Sequence, residues 1–274
     1  MIRRILAIAR MEMTITRRNR WLLMATVIMV LFALALTLAG SAPTGTLGVS
    51  MLTVSVASMT TLSVYLAPLL ALMMGFDSIA GEAERGGLGL LLSYPVSRAE
   101  ILLGKFLAHL TALGFAMIVG FGTAGALAAF HGGVDAAGLS ALLRLILTSI
   151  LLGAAFLSLG YMLSAMAGSA TSAAGLSAGL WLVFVVLYDL GLLGAVVFDG
   201  GGWFTQKAFP WLMAANPADA FRLWNIAASD GIAMATGLSG AAAALPGWVA
   251  PVSLFLWPVL GLLLARRFFE RLEP

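Results

Sequence analysis

Hydrophobic positions in this chain gather into long unbroken runs, and polar residues gather between them. Six runs stand out, at about 21–40, 54–76, 106–130, 142–163, 173–193 and 248–265, rich in Leu, Ala, Gly and Met. A membrane β-barrel would instead show alternating stretches of about ten residues. Each run is long enough to cross about 30 Å of hydrocarbon at 1.5 Å per residue. A helix is the form that satisfies every backbone polar group inside such a segment. The last run carries Pro251 and Pro258, which predicts a kink or break near its outer end. Residues 1–20 have a different pattern. Ile2, Ile5, Leu6, Ala9 and Met13 share one helical face, and Arg3, Arg10, Thr14 and Arg17 share another. A basic amphipathic helix of this kind lies in the interface beside the first span; a solvated basic tail that only sets topology is the alternative. The small-residue cleavage site of a signal peptide is missing, and the following run is a full span. The pattern predicts an all-α polytopic membrane protein with six transmembrane helices behind an N-terminal amphipathic interfacial helix.

Composition sharpens this reading. The 274 residues are 61% hydrophobic and 10% charged, against roughly 25% charged in soluble domains. Residues 21–76, 145–188 and 231–265 contain no Asp, Glu, Lys or Arg. With no cysteine, the chain has no disulfide, thiolate ligand or Cys nucleophile. His109 and His131 are the two histidines, too few for an imidazole metal site or a serine triad. Six spans place both termini on one side. If that side is the cytoplasm, Arg3, Arg4, Arg10, Arg17, Arg18, Arg20, Arg85, Arg98, Lys105, Arg266, Arg267 and Arg271 lie inside, and only Arg144, Lys207 and Arg222 lie outside. This positive-inside bias accounts for the net charge of +3 without any nucleic-acid partner.

The stretch 77–105, between the second and third spans, is the informative loop. It is longer than the 2–8 residues that join antiparallel helices and too apolar to be idle. Glu82, Glu84 and Arg85 precede Leu88, Leu90, Leu91 and Leu92; Pro95 then stops any helix. Ser97 with Glu100 forms a capping box that starts the third span. The expected element is a short charged-then-apolar helix, a break, and a capped helix start. No G-x-x-x-x-G-K-[ST] phosphate loop occurs in the chain, so it holds no nucleotide site of that kind.

The run G-E-x-E-R-G-x-L-x-L-L-L-S-x-P-V-S-R…G-K at 81–105 resembles the first cytoplasmic loop of ABC-2-type transporter permeases, which forms the coupling helix against an ATPase subunit. The likeness extends to the order of elements: interfacial helix, six spans, and an extended outer loop before the sixth. Asn216-Pro217-Ala218-Asp219 and residues 76–105 are most similar to the branch that serves nitrous oxide reductase maturation. One departure is Gly87, where many such loops have Thr, with Gly89 in place of a polar residue; each glycine weakens a helix by up to about 1 kcal/mol. The resemblance implies a non-catalytic permease in the bacterial inner membrane with both termini cytoplasmic. It implies two cytosolic ABC ATPase subunits carrying ATP and Mg, a second copy of the chain, surrounding membrane lipid, a periplasmic partner, and no cofactor bound directly. The task it implies is to support assembly of the reductase's copper–sulfur site. On this reading Glu82, Glu84 and Arg85 give the ATPase charged contacts and Leu88, Leu91 and Leu92 apolar surface, while Pro95 and Arg98 form a stiff junction to the third span. The alternatives are an ABC-2 exporter of a lipid, drug or polysaccharide, and a non-transporting membrane scaffold whose loop is merely solvated.

Residues 194–247 form a long extracytoplasmic loop rich in aromatics, including Trp203, Trp211, Phe221 and Trp224, as a membrane boundary selects. Asn216 as cap, Pro217 and Asp219 start a helix carrying Phe221 and Trp224. The loop reads as an outer gate or docking face, or equally as an interfacial anchor. Arg144 and Asp189 sit near the outer ends of spans four and five, where an ion pair between them and separate snorkelling are equal readings. Gly175-Leu176-Ser177-Ala178-Gly179 has the form of a nucleophile elbow but lies within a span, so a small-residue packing face is the better account. Gly237-Leu238-Ser239-Gly240 resembles a rhomboid-type serine motif, yet no histidine follows His131. The 14 methionines are scattered and read as apolar filler rather than metal ligands.

Overall fold

A computed structural model describes residues 1–18, 20–39, 51–226 and 244–272. In chain order, α1 (Ile2–Arg18) precedes α2 (Trp21–Ala39), and α3 (Met51–Gly75) runs through a turn into the short α4 (Ala80–Glu84) and α5 (Gly87–Leu92). A long hairpin follows, α6 (Arg98–Gly132) and α7 (Ala136–Met166). Then α8 (Ala170–Trp181) continues through a π-helical segment, Leu182–Leu187, into α9 (Tyr188–Asp199). A second π segment, Phe204–Ala208, leads to α10 (Phe209–Ala215) and α11 (Pro217–Ile226), and α12 (Val249–Arg271) comes last. The motif around Ser239 lies outside the described residues.

Among the described residues, six helical stretches are long and apolar enough to cross a membrane: Leu22–Ala39, Met51–Glu84, Arg98–Gly132, Ala136–Met166, Ala170–Asp199 and Val249–Arg271. The chain is an all-α, multi-pass membrane protein. Several helices overrun their apolar runs because a helix, once nucleated, continues into water while good caps hold its ends. The 35 residues of α6 extend roughly 50 Å, so its first turns, from Arg98 to Lys105, are the capped helix start expected at the end of the 77–105 stretch. One alternative is corrected: α12 is not broken at its prolines. Pro251 stands in the first turn, where an amide has no partner to lose, and Pro258 lies inside the continuous helix.

The core centres on α7, which packs against α3, α12 and its hairpin partner α6. A Cβ built at Gly75 would lie 3.1 Å from the Cα of Gly160 and 3.1 Å from the carbonyl oxygen of Leu157. Backbone meets backbone there, the contact that small residues permit between membrane helices. α1 lies across α6 with Ile8, Glu12 and Thr16 buried on its inner face. By contrast, the α8–α9 span is open: Ala173, Ser177 and Val185 are its buried residues. Gly175 and Gly179 face empty space within the single chain. Beyond this span, α10 and α11 fold back onto the bundle, with α11 against α7, α12 and α3.

Candidate coupling site

The element that follows α3 is two short helices rather than one. Gly86 separates them in the left-handed region, φ 73°, a conformation open to glycine and costly for other residues. Ser164, near the end of α7, accepts from the backbone N–H groups of Ile79 and Ala80 at 3.0 and 2.9 Å. It thereby satisfies amides that a helix start leaves without intrahelical partners. Glu84 accepts from the N–H of Ala170 at 3.1 Å, so α4 also caps α8. The predicted capping box forms: Ser97 accepts from the Glu100 amide, and the Glu100 carboxylate accepts from the Ser97 amide. Thus α4 is tied to α7 and α8, while α6 starts from its own cap.

Side chains extend these ties inward. Lys105 on α6 is 1% exposed. It donates to Glu12 on α1 at 2.8 Å and to Glu82 on α4 at 2.5 Å. The other Glu12 oxygen is 3.4 Å from His109 Nε2, and the Tyr161 hydroxyl meets His109 Nδ1 at 2.8 Å. A neutral imidazole with its proton on Nε2 satisfies both contacts, donating to Glu12 and accepting from Tyr161. Burial alone would raise the Glu12 carboxyl, but hydrogen bonds and charge from His109 and Lys105 outweigh it and hold the group at about 2. The network joins α4, α6, α1 and α7 through one cation. A cavity of about 210 Å³ opens beside it, lined by Glu12, Glu82 and Lys105 among others.

The residues expected to face a partner divide accordingly. Glu82 is turned inward onto Lys105, and Leu88 is 2% exposed in the core. The reading of these two as partner surface is corrected: an apolar side chain and a carboxylate with a buried cation in reach are more stable inside. Leu91 and Leu92 are half-buried against the same core. Glu84, Arg85 and Pro95 are exposed, and Arg85 is held by Asp77 through two hydrogen bonds of 3.3 and 2.9 Å. The sequence reading did not assign the most exposed large side chains, Leu90 and Tyr94, to the site. Arg98 donates to the carbonyls of Phe269 and Leu272 and stacks over the Phe269 ring, 5.4 Å from its centroid. It ties the start of α6 to the end of α12.

Glu12, Lys105, His109 and Tyr161 were missed as a group. The available signals were faint. Glu12 is the single acid in the first 76 residues, and Lys105 and His109 are four apart at the start of a span.

On α9, Asp189 pairs with Arg222, not with Arg144. Arg144 has no ionic partner among the described residues. Arg222 also donates to Asp219 at 3.0 Å. Asn216 caps α11 by accepting from the Ala218 amide at 2.9 Å, and its Nδ2 donates to the Phe184 carbonyl in the π segment at 2.7 Å. Phe221 is fully buried and Trp224 half-buried, its ring 6.4 Å from that of Phe255. Asn216 and Phe221 therefore pack inward and do not form an outward docking face. Trp203, Trp211 and Trp248 are the exposed tryptophans here. Ser177 lies within α8, so its glycine-flanked motif is not a strand-to-helix elbow.

Comparison with known proteins fits this architecture. Residues 6–273 match the family described as ABC-2 family transporter protein. The chain is 40% identical over 268 residues to the "Probable ABC transporter permease protein NosY" of Stutzerimonas stutzeri, covering 96% of this chain and 97% of that one. It is 41% identical over 272 residues to the protein of the same name in Pseudomonas aeruginosa, again covering 96% and 97%.

Proposed function

The chain belongs to the ABC-2 family of transporter proteins, and from that premise we propose that it is the membrane permease subunit of an ABC transporter that works in maturation of nitrous oxide reductase. Near-full-length likeness to two NosY permeases supports the assignment. The subunit is itself non-catalytic. ATP and Mg are handled by a separate ATPase, two copies of which bind a pair of permease chains in the bacterial inner membrane. Both termini face the cytoplasm, an orientation favoured by the twelve-to-three distribution of basic residues. The open α8–α9 span, with Gly175 and Gly179 uncovered, suits contact with the second copy. The task is to support assembly of the reductase's copper–sulfur centre with a periplasmic partner.

One observation carries the mechanical reading. Leu90 and Tyr94 are 66% and 60% exposed next to α4, which is bonded directly to α6, α7 and α8 and through Lys105 to α1. An ATPase that grips this ridge, with Glu84, Arg85 and Pro95 at its edges, pushes on α4. The load passes through Glu82 and Lys105 to α1 and α6, and through Ser164 to α7. The test is the pair L90D and Y94D. Both side chains are exposed, so yield and unfolding midpoint stay at the parent values, while co-purification of the ATPase falls at least tenfold. Undiminished co-purification with both variants refutes the reading.

A further inference from the structure

α1 leaves open a face on which two kinds of residue stand side by side. Ile8, Glu12 and Thr16 turn onto α6 and are buried. On the opposite side Arg3, Arg10 and Arg17 recur every seven residues, which sets them in one row with steps of roughly 10 Å. All three are exposed and have no ionic partner among the described residues. Next to that row runs an apolar one, Ile2, Leu6, Ala9 and Met13; Ile2 and Leu6 are exposed and the other two half-buried.

Packing also fixes the depth of α1. A Cβ built at Gly104 would lie 2.7 Å from the Cβ of Ile8. Glu12 meets Lys105, the last residue of α6 before 106–130, a run without Asp, Glu, Lys or Arg. α1 ends at Arg18, just ahead of the apolar stretch Leu22–Ala39. The helix therefore lies at the boundary between water and hydrocarbon, at the level of phospholipid headgroups. It carries five arginines and one acid, and that acid, Glu12, is already engaged by Lys105 and His109. Arg4 leans towards Glu100 at 3.8 Å, which leaves the arginine row without a counter-charge among the described residues.

We propose that this face of α1 is a docking surface for anionic phospholipid, with phosphates along Arg3, Arg10 and Arg17 and lipid carbons against Ile2 and Leu6. An arginine close to an anionic lipid surface gains an attraction that zwitterionic lipid does not offer. The apolar row beside it adds burial at the same depth. A soluble acidic protein matches the arginines but leaves that apolar row in water. Docking also bears on the buried network, because Glu12 belongs to the same helix. Without anionic lipid the arginines are better hydrated away from the bundle, and a helix that lifts takes Glu12 from Lys105. With anionic lipid α1 stays seated on α6. This surface is independent of the ATPase assignment.

The chain has no cysteine, so Ile8→Cys, at the contact with Gly104, reports the seating of α1 through its rate of alkylation by a maleimide. The full-length permease is placed in nanodiscs of phosphatidylcholine, with or without phosphatidylglycerol. Alkylation should be at least about tenfold slower with phosphatidylglycerol. The difference should vanish in about 1 M salt, where charges are screened beyond about 3 Å. The triple variant R3Q/R10Q/R17Q should lose the difference. R266Q/R267Q/R271Q, which takes the same charge from the end of α12, should keep it. Should I8C not fold, hydrogen exchange of the α1 amides in the parent protein gives the same comparison. Equal rates in the two membranes overturn the proposal, as do equal effects of the two triple variants or equal protection by phosphatidylethanolamine. Protection by soluble glycerol phosphate in phosphatidylcholine discs would assign the arginines to a free phosphate and overturn the lipid reading. Loss of a co-purifying protein from R3Q/R10Q/R17Q, with its lipid response unchanged, would assign the face to a protein and overturn it too.

Discussion

Replacing Lys105 with methionine tests the buried network most directly. The side chain is 1% exposed, and among the described residues it is the one cation within bonding distance of both Glu12 and Glu82. Methionine fills much of the same space, so the perturbation is chiefly the lost charge. Two estimates set the scale. The displacement of Glu12 from 4.5 to about 2 corresponds to about 3 kcal/mol of native-state interaction, part of it from His109, which remains. Removing one partner of a buried ion pair generally costs about 3–5 kcal/mol. The expected loss for K105M is thus about 3 kcal/mol, read as the shift in SDS-driven unfolding in mixed micelles. The pH sign follows from a depressed carboxyl: the Glu12 contribution is complete above about 4.5 and disappears as pH falls towards about 2. The difference between parent and K105M should therefore shrink over that acid window. The triple variant E12Q/E82Q/K105M, which leaves no orphaned charge, should recover most of the loss. A K105M protein within about 1 kcal/mol of the parent at neutral pH would show that the network carries little stability, and the proposed load path through it would go too.

Three further outcomes follow from the packing. Ser164→Ala deprives the Ile79 and Ala80 amides of their acceptor and should cost about 1–3 kcal/mol in the same unfolding assay, with proteolysis between α3 and α5 accelerated. Gly75→Leu forces a side chain against the backbone of α7, where a Cβ alone meets atoms at 3.1 Å; a loss of about 2–3 kcal/mol is expected. Arg144→Gln, at a position with no ionic partner among the described residues, should stay within about 0.5 kcal/mol of the parent, whereas Arg222→Gln should be plainly destabilising because it strands the Asp189 carboxylate and takes a hydrogen bond from buried Asp219.

The contrast between Arg144 and Arg222 shows where reading from sequence alone runs out. Asp189 and Arg144 were natural partners by depth on neighbouring spans, and nothing along the chain announced that α11 would fold back and bring Arg222 to Asp189. Glu82 and Leu88 show the same limit in the coupling element. Residue type marked the charged-then-apolar order but not the break at Gly86 that makes two helices of it, and the side chains that turn inward depend on where Lys105 and the α7 core lie. The Ser97–Glu100 cap was legible because both partners sit three residues apart.

What the chain alone determined was local or solvent-imposed: six spans, because hydrocarbon admits only long apolar helices there; a basic helix before them; the cap that starts α6; and the loop pattern of its family. Only the tertiary structure decided which polar groups meet across helices. A lone lysine at a span end reads the same whether it snorkels or bridges two buried acids. The difference is set by helices that arrive from residues 12 and 82, distances along the chain that no local pattern encodes.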